Sequence, residues 1–378
     1  MYRIGLLGGM MDPVHLGHLG AARAALDAGL DKVLLAPCQT PAHRPAPLAS
    51  PEQRMTLCRL AIGEDERMEV SDIDLRADTC YAADTVRLLR QRYPGAAITF
   101  ILGADKLPGL AHWRDARSLF SLCDFLVCPR PGYDAHLEVP GARLRVLELP
   151  PREAASGEIV NRLRRLDDAL DMLPLAVSRH IALNGLYQPD YEPMLRLYGM
   201  KDKRLRHTLG VRQTAVALAE RWGARMQAAA VAAMLHDIAK PLPLKEMQAL
   251  AARYGLDLDD ETLTAGNLLH GPVAAAIAEH ELGIEDPEVL SAIACHTAGK
   301  PGMTVLDKVL FIADAIEPNR EDYPGLAEMR RLVETDLDGA VLLSMERTRE
   351  YVLSRGLSFC GQTELAMRDL KKQKEEQP

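Results

Sequence analysis

The hydrophobic pattern of this 378-residue chain changes once along its length, between residues 184 and 203. Before this point helical patterns alternate with short apolar runs, which lie at residues 3–7, 32–36, 97–102, 124–127 and 144–147. Strands that alternate with helices predict βαβ units and a parallel sheet with helices on both faces. After this point only helical periodicity is found. The sequence therefore predicts an α/β doubly wound parallel sheet followed by an all-α domain.

The chain is long enough to form two separate hydrophobic cores. The segment between the two patterns contains Pro189 and Pro193, which interrupt both kinds of periodicity. We therefore predict an α/β domain over residues 1–190 and an all-α domain over residues 191–368. The last residues, 369–378, are mostly charged and polar. We expect this tail to be disordered.

Charge, hydropathy and cysteine content limit the classes of function. The formal net charge is −8, whereas a general nucleic-acid binder needs a basic surface that replaces phosphate counterions. No apolar run is long enough to span a membrane, so we expect neither nucleic acid nor a membrane as a partner. The seven cysteines include no C-x-x-C pair, which is typical of free thiols in a reducing cytoplasm. The oligomeric state stays open, a homo-oligomer included.

A glycine pair and two histidines mark the first predicted strand-to-helix turn. Gly8 and Gly9 end the first apolar run, where glycine lets a phosphate approach the main chain closely. Pro13 suits the start of a helix. His15 and His18 then lie on one face at the positive end of the helix dipole. Such a pair also occurs in ordinary helix starts, but its place after the glycines favours a role in binding phosphate.

This run resembles the H-x-G-H signature of the nucleotidyltransferase superfamily. With L-G-A-D-K-L at 102–107, H-W-R-D at 112–115 and P-R-P-G-Y at 129–133, it looks like the bacterial nicotinate mononucleotide adenylyltransferases over roughly the first half of the chain. The resemblance implies transfer of the AMP part of ATP to nicotinate mononucleotide, which gives deamido-NAD and pyrophosphate with the help of Mg²⁺.

The resemblance also implies roles for individual residues. His15 and His18 are the expected catalytic residues, and the expected nucleotide-binding residues are Gly8, Gly9, Gly103, Asp105, Trp113, Arg130 and Ser156. Trp113 is expected to stack on the nicotinate ring, with core packing as the alternative. The chain departs from the family in its late phosphate loop, where Gly157 and Val160 replace a threonine and an arginine. An arginine–phosphate contact contributes about 1.5–3 kcal/mol, so this half is expected to be a weak, altered or non-catalytic transferase.

Four histidines and two aspartates in the second half lie on otherwise apolar helix faces. They are His207, His236, Asp237, His270, His296 and Asp314. A single buried histidine is usually an ordinary core residue, but an unpaired imidazole or carboxylate in a core is costly. Six such groups from separate helices are most simply explained by bound metal. The mixture of imidazole and carboxylate ligands favours transition metals over magnesium.

These residues match the HD-domain phosphohydrolase superfamily. The neighbouring words L-H-D-I-A-K at 235–240 and A-D-A-I-E-P-N-R at 313–320 resemble the symmetrical diadenosine-tetraphosphate hydrolases, which cut that dinucleotide to two ADP. The resemblance implies two transition-metal ions, iron being the expected metal, with Asp237 as the bridging ligand. It also implies that Lys240 and Arg320 contact the polyphosphate, although both are equally well explained as solvent-exposed charges.

Together these motifs predict a bifunctional enzyme of nucleotide metabolism. One alternative is that only the HD hydrolase is active and that the first half is a nucleotide-binding regulatory module. The changes at Gly157 and Val160 favour this alternative, whereas His15, His18 and Asp105 argue against it. A second alternative keeps both halves active on other substrates. A non-enzymatic interaction protein would leave the six inward-facing groups unexplained.

Overall fold

The computed structural model describes residues 1–39, 45–75, 81–149 and 155–376. The chain divides into two compact units. The first consists of Met1–Arg162 and Ala169–His180, and the second of Leu163–Asp168 and Ile181–Pro378. The order of an α/β unit followed by a helical unit confirms the predicted fold class. The domain limits at residues 190 and 368 stay predictions.

The first unit is built on a six-stranded sheet in which all neighbouring strands are parallel. Its strands are β1 (Arg3–Gly9), β2 (Lys32–Pro37), β3 (Met68–Val70), β4 (Ala97–Gly103), β5 (Asp124–Cys128) and β6 (Leu144–Val146). Their order in the sheet is β3-β2-β1-β4-β5-β6. The chain direction across the sheet thus reverses between β1 and β4, which is where doubly wound sheets bind ligands.

Helices of the first unit follow the strands as the sequence predicts. They are α1 (Leu16–Asp27), α2 (Pro51–Ile62), α3 (Ala82–Arg92), α4 (Leu107–Leu110) and α5 (Ala116–Leu122). The start of α2 is fixed by its local sequence. The hydroxyl of Ser50 accepts the main-chain N–H of Gln53, and the side-chain oxygen of Gln53 accepts the main-chain N–H of Ser50. Central strands β1, β2 and β4 are buried along most of their length, as expected for a sheet covered on both faces.

Two helices, α6 (Ser156–Arg164) and α7 (Leu175–Asn184), lie where the chain passes between the units. The rest of the second unit consists of α8 (Glu192–Leu197), α9 (Asp202–Trp222), α10 (Met226–Leu235), α11 (Leu244–Arg253), α12 (Asp260–Thr264), α13 (Gly266–His280), α14 (Pro287–Cys295), α15 (Val305–Ile316), α16 (Leu326–Leu332), α17 (Leu337–Ser354) and α18 (Gly361–Glu376). Every residue of α10 is buried. Its small alanine side chains let α9, α13, α14 and α15 pack around it.

The disorder predicted for the tail is not found in residues 369–376. Helix α18 continues to Glu376 because Met367 and Leu370 are buried in the core of the second unit. Lys371 also forms an ion pair with Glu346 of α17. Charge composition alone therefore underestimated the apolar face of this helix. In the part of the chain that the structure describes, no helix is both long and apolar enough to cross a membrane.

Candidate active sites

The first candidate site lies where the sheet order reverses. Gly8 and Gly9 end β1, and Gly103 ends the neighbouring strand β4. The Cβ of any residue at position 103 would lie 2.3 Å from Oδ1 of Asp105 and 3.1 Å from Nε of Arg130. Glycine at this position therefore lets both charged side chains lie across the end of β4. The structure thus places these predicted nucleotide-binding residues together at the carboxyl ends of the central strands.

His15 and His18 form a reciprocal cap at the start of α1. Nδ1 of His15 accepts the main-chain N–H of Gly17 at 3.1 Å, and Nδ1 of His18 accepts the main-chain N–H of His15 at 3.2 Å. The two ring centroids are 3.7 Å apart. Because each Nδ1 acts as an acceptor, a neutral ring carries its proton on Nε2. Each histidine therefore has an N–H that it can donate to a phosphate oxygen.

Both rings are held neutral. Burial, followed by the nearby His18 and Arg130, lowers the pKa of His15 to about 2. Burial, followed by Arg130, lowers the pKa of His18 to about 4. The pair therefore does not exchange protons near neutral pH, and its chemistry is hydrogen-bond donation to a developing negative charge.

The loop before α1 is supported by two charged residues, of which sequence analysis did not single out Arg54. Arg54 is 1% exposed and donates to the carbonyls of Met10 and Cys38, both at 2.7 Å. The carboxylate of Asp12 accepts the main-chain N–H groups of Leu48 and Ala49. The only sequence signal for Arg54 was its position, since it is a charged residue at a place in α2 where the helical pattern predicts an apolar one. These bonds fix the loop that joins the glycine pair at the end of β1 to the start of α1.

Trp113 and Ser156 have contacts that bear on their predicted roles. Trp113 is partly buried and packs edge-on against Phe100, with ring centroids 5.8 Å apart. Core packing thus accounts for part of this side chain, and stacking on nicotinate stays a prediction. Ser156 donates to the carbonyl of Pro13 at 3.0 Å. This bond brings the start of α6 next to the histidine motif.

The altered phosphate loop has no arginine at the expected place. Val160 is buried, and a side chain at Gly157 would meet no atom within 4 Å. Arg162, two residues further along the helix, forms a 2.8 Å ion pair with Asp171. An arginine from the following turn is therefore engaged with a carboxylate.

The second candidate site gathers six side chains from five helical segments. His207 lies on α9, His236 and Asp237 follow α10, His270 lies on α13, His296 follows α14 and Asp314 lies on α15. Their ligand atoms form two overlapping groups, the first of His207, His236 and Asp314 and the second of His236, Asp237 and His296. Within each group these atoms lie within 4.8 Å of one another. Sequence analysis named all six residues, and the structure brings them together.

Asp237 lies between two pairs of histidines and presents one carboxylate oxygen to each pair. Its Oδ2 lies 3.8 Å from Nε2 of His207 and 3.5 Å from Nε2 of His236. Its Oδ1 lies 3.3 Å from Nε2 of His270 and 3.8 Å from Nε2 of His296. Asp314 completes the first side, with Oδ1 at 3.0 Å from Nε2 of His207. This is the placement needed for a carboxylate that bridges two metal ions.

The histidine rings are oriented by hydrogen bonds on the side away from the cluster. Nδ1 of His236 donates to the carbonyl of Ala233, and Nδ1 of His296 donates to the carbonyl of Ile293, both at 2.7 Å. With Nδ1 protonated, the lone pair of each neutral ring is on Nε2, which faces the cluster. The buried Nε2 atoms of His207 and His236 make no hydrogen bond in the described chain. Such orphaned nitrogens fit metal ligands.

Electrostatics in the cluster favours cations. Burial raises the pKa of Asp237, but His236 and other neighbouring histidines outweigh it and hold that pKa well below its usual range. The pKa of Asp314 is lowered in the same way, chiefly by His207 against the effect of burial. Burial lowers the pKa of His270 to about 4. Burial lowers the pKa of His236, but Asp237 and Asp314 outweigh it and raise that pKa, so without metal the carboxylates draw a proton to this ring. Two ionised carboxylates among imidazoles that give up such a proton on binding are the donor set that transition metals prefer.

Three basic side chains surround this cluster. Lys240 Nζ lies 3.4 Å from both ring nitrogens of His270. Arg320 donates to the main-chain carbonyl of Asp314 at 2.8 Å and forms an ion pair with its carboxylate. Arg204, which belongs to the basic run at residues 201–206, forms an ion pair with Oδ2 of Asp237. The side chains of Arg204 and Arg320 are more than one third exposed, so both can be reached by a molecule that binds at the cluster.

Comparison with known proteins gives matches to each half of the chain and to nearly the whole of it. Residues 6–163 match the cytidylyltransferase-like family model, and residues 204–319 match the HD domain family model. A probable nicotinate-nucleotide adenylyltransferase/Ap4A hydrolase of Mycoplasma genitalium is 29% identical over 93% of this chain and 99% of its own length. The symmetrical bis(5'-nucleosyl)-tetraphosphatase of Bacillus subtilis is 42% identical over 41% of this chain and 83% of its own length. A probable nicotinate-nucleotide adenylyltransferase of Opitutus terrae is 36% identical over 50% of this chain and 98% of its own length.

Proposed function

Because the first half of the chain belongs to the nicotinate-nucleotide adenylyltransferases and the second half to the symmetrical bis(5'-nucleosyl)-tetraphosphatases of the HD class, we propose that it carries both activities. The first half joins the AMP part of ATP to nicotinate mononucleotide and releases pyrophosphate. The second half hydrolyses diadenosine tetraphosphate to two ADP. The six cysteines in the described chain are free, which supports a cytoplasmic location for both reactions.

In the first half, a phosphate oxygen of nicotinate mononucleotide attacks the α-phosphorus of ATP. The new P–O bond forms as the bond to pyrophosphate breaks. The Nε2–H groups of His15 and His18 donate to the phosphate oxygens that gain charge. Arg130 lies beside them and adds a positive charge, while Gly8 and Gly9 leave room for the triphosphate against the main chain. No covalent enzyme intermediate is needed.

Magnesium is the proposed ion for this transfer. Among the residues that the structure describes, the candidate metal groups all lie in the second unit. We therefore propose that Mg²⁺ reaches the first site together with the triphosphate of ATP, whose oxygens are its preferred ligands.

In the second half, His207, His236 and Asp314 would hold one metal ion, and His270 and His296 a second, with Asp237 shared. When bound, the ions would supply an activated water and neutralise phosphate charge. We propose iron, because the donors are imidazoles and carboxylates.

The chain's own residues then act on the rest of the polyphosphate. Lys240 and Arg320 bind the outer phosphates, and Arg204 lies close enough to the bridging carboxylate to join them. Water adds to one of the two central phosphorus atoms, and the P–O bond to the other half of the molecule breaks. Each half leaves as ADP. A chain of four phosphates suits a site with several cations on its rim.

The observation that carries the hydrolase proposal is the four-way position of Asp237 between the two histidine pairs. The test is incubation of the purified chain with diadenosine tetraphosphate and separation of the nucleotide products. ADP as the only product supports symmetrical cleavage. Equal amounts of AMP and ATP, or no cleavage by a chain with two bound metal ions, would contradict it.

A second candidate for the first half is a regulatory module that binds nucleotide without turnover. Buried Val160 and the engaged Arg162 favour it, because neither offers a free guanidinium for the acceptor phosphate. The test is pyrophosphate release from ATP and nicotinate mononucleotide, with His18→Ala as the control. Release that the control abolishes supports the transferase. Unchanged ATP binding without release would support the module instead.

A further inference from the structure

Glu317 is a buried carboxylate that directly contacts the proposed metal centre. It follows the last residue of α15 and is 1% exposed. Its Oε1 lies 3.1 Å from Nδ1 of His207, so it accepts the ring N–H on the side away from the cluster. Sequence analysis assigned no role to it, although it lies three residues after Asp314. A buried carboxylate needs a partner, and here that partner is a predicted metal ligand.

The carboxylate of Glu317 is held in place by neighbouring groups. Its Oε2 accepts the main-chain N–H of Asn319 at 2.6 Å and the side-chain amide of Asn319 at 3.0 Å. Gly210, one turn after His207 on α9, faces the same oxygen. A Cβ at position 210 would lie 2.2 Å from Oε2 of Glu317. The glycine therefore leaves room for this carboxylate and for the amide of Asn319 beside α9.

This contact makes the two sides of the cluster unequal. The Nδ1 atoms of His236 and His296 donate to neutral main-chain carbonyls, whereas that of His207 donates to a carboxylate. A carboxylate in this position raises the basicity of the ring and its strength as a metal ligand. On the other side, the ammonium of Lys240 lies 3.4 Å from the ring nitrogens of His270. A cation there has the opposite effect on metal binding.

We propose that Glu317 is a positioning residue for His207 and makes the metal position of His207, His236 and Asp314 the tighter of the two. The chain would then fill this position first, and the position of His270 and His296 second. Arg204 and Arg320 also lie near the first position, but their side chains are more than one third exposed, so solvent screens their charges. The inference rests on the proposed function only in that both metal positions exist.

The test is a titration of the full-length, chelator-treated chain with Co²⁺, followed by calorimetry and by the visible spectrum of the bound ion. The wild-type chain is expected to bind two ions with affinities at least tenfold apart. Glu317→Gln keeps the shape but removes the charge, and it is expected to weaken the tighter position by about 10–100-fold while the other changes less than twofold. Glu321→Gln is the matched control, because Glu321 is 93% exposed and pairs only with Lys203 among the described ion pairs.

Two further variants keep the test decisive if Glu317→Gln does not fold. In a His207→Ala chain, adding Glu317→Gln is expected to leave Co²⁺ binding unchanged. In a Lys240→Met chain, loss of the cation beside His270 is expected to narrow the difference between the two affinities. Equal affinities in the wild type, equal weakening of both positions by Glu317→Gln, or an unchanged difference in Lys240→Met would overturn the inference.

These readouts do not involve diadenosine tetraphosphate. Two unequal metal positions in a chain that cleaves no dinucleotide would leave this inference intact and refute the proposed hydrolase. Symmetrical cleavage by a chain with two equal positions would do the reverse.

Discussion

Replacement of Gly271 by alanine is expected to damage the metal-centre half through one contact. Gly271 follows His270 on α13, where a Cβ would lie 2.7 Å from the main-chain oxygen of Ala294 on α14. It would also lie 3.3 Å from the oxygen of Ile293, which is the carbonyl that holds Nδ1 of His296. The added methyl therefore pushes on the group that orients a predicted ligand.

The size of the effect follows from these distances. Carbon–oxygen contacts between packed elements settle at about 3.3 Å, so α13 and α14 must separate by roughly 0.6 Å at this point. Overpacking of this kind costs about 1–3 kcal/mol in the free energy of unfolding. A ligand displaced by about 1 Å costs on the order of 100-fold in rate, so we expect hydrolysis of diadenosine tetraphosphate to fall about 10–100-fold. Adenylyl transfer should not change.

The assay is a melting curve together with steady-state rates of both reactions. Gly20→Ala is the matched control, because Gly20 lies inside α1 and a Cβ there meets no atom within 4 Å. The same substitution should there be neutral or stabilise by up to about 1 kcal/mol, since alanine favours helix more than glycine does. A Gly271→Ala chain with wild-type melting and hydrolysis within twofold of wild type would refute the packing argument.

Three further predictions concern the first half. Arg54→Leu should lower its melting temperature and its adenylyl transfer, because it leaves buried carbonyls unpaired at about 1–3 kcal/mol each; Arg59→Leu on the exposed face of α2 is the control, and equal effects would contradict the role of Arg54. The free energy of unfolding of the first half should fall as the pH is lowered from 7 to 5. In the unfolded chain His15 and His18 take up protons in this range, whereas the folded rings, with pKa values of about 2 and 4, do not. A melting temperature that does not change over this pH range would contradict this, as would the same pH dependence in a chain in which both histidines are replaced by asparagine. Trp113→Ala should raise the KM for nicotinate mononucleotide about fivefold or more, as expected for a lost stacking contact, and leave the KM for ATP unchanged; a loss of stability with both KM values unchanged would instead assign Trp113 to the core.

Much of the fold could be predicted because the spacing of apolar residues indicates which positions of a strand or helix are buried. The apolar runs predicted as strands correspond to β1, β2, β4, β5 and β6, and the switch to helices follows the loss of these runs. Strand β3 was missed because its two apolar residues are separated by a glutamate and have no apolar residue on either side, whereas Leu147 extends the apolar run of the equally short β6. Helix α18 was misjudged because its few apolar residues, such as Leu370, are hidden among charges.

The candidate metal centre was visible in the sequence because its residues interrupt apolar helix faces. The residues that hold these ligands and the loop before α1 in place could not be recognised from the sequence, since their roles depend on contacts between distant segments. Glu317 reaches His207 across 110 positions of sequence, and Gly210 matters only because Glu317 is there. Arg54 likewise acts on Met10 and Cys38, which local pattern cannot connect to it.

The most direct test of the account uses one preparation, two reactions and two single-site variants. His18→Ala should abolish the formation of deamido-NAD and leave hydrolysis of diadenosine tetraphosphate within twofold of wild type. Asp237→Asn should abolish hydrolysis, lower the metal content below two ions per chain and leave adenylyl transfer unchanged. This crossed result would establish two independent active sites in one chain. Loss of both reactions in either folded variant, or a wild-type chain that catalyses only one of them, would contradict it.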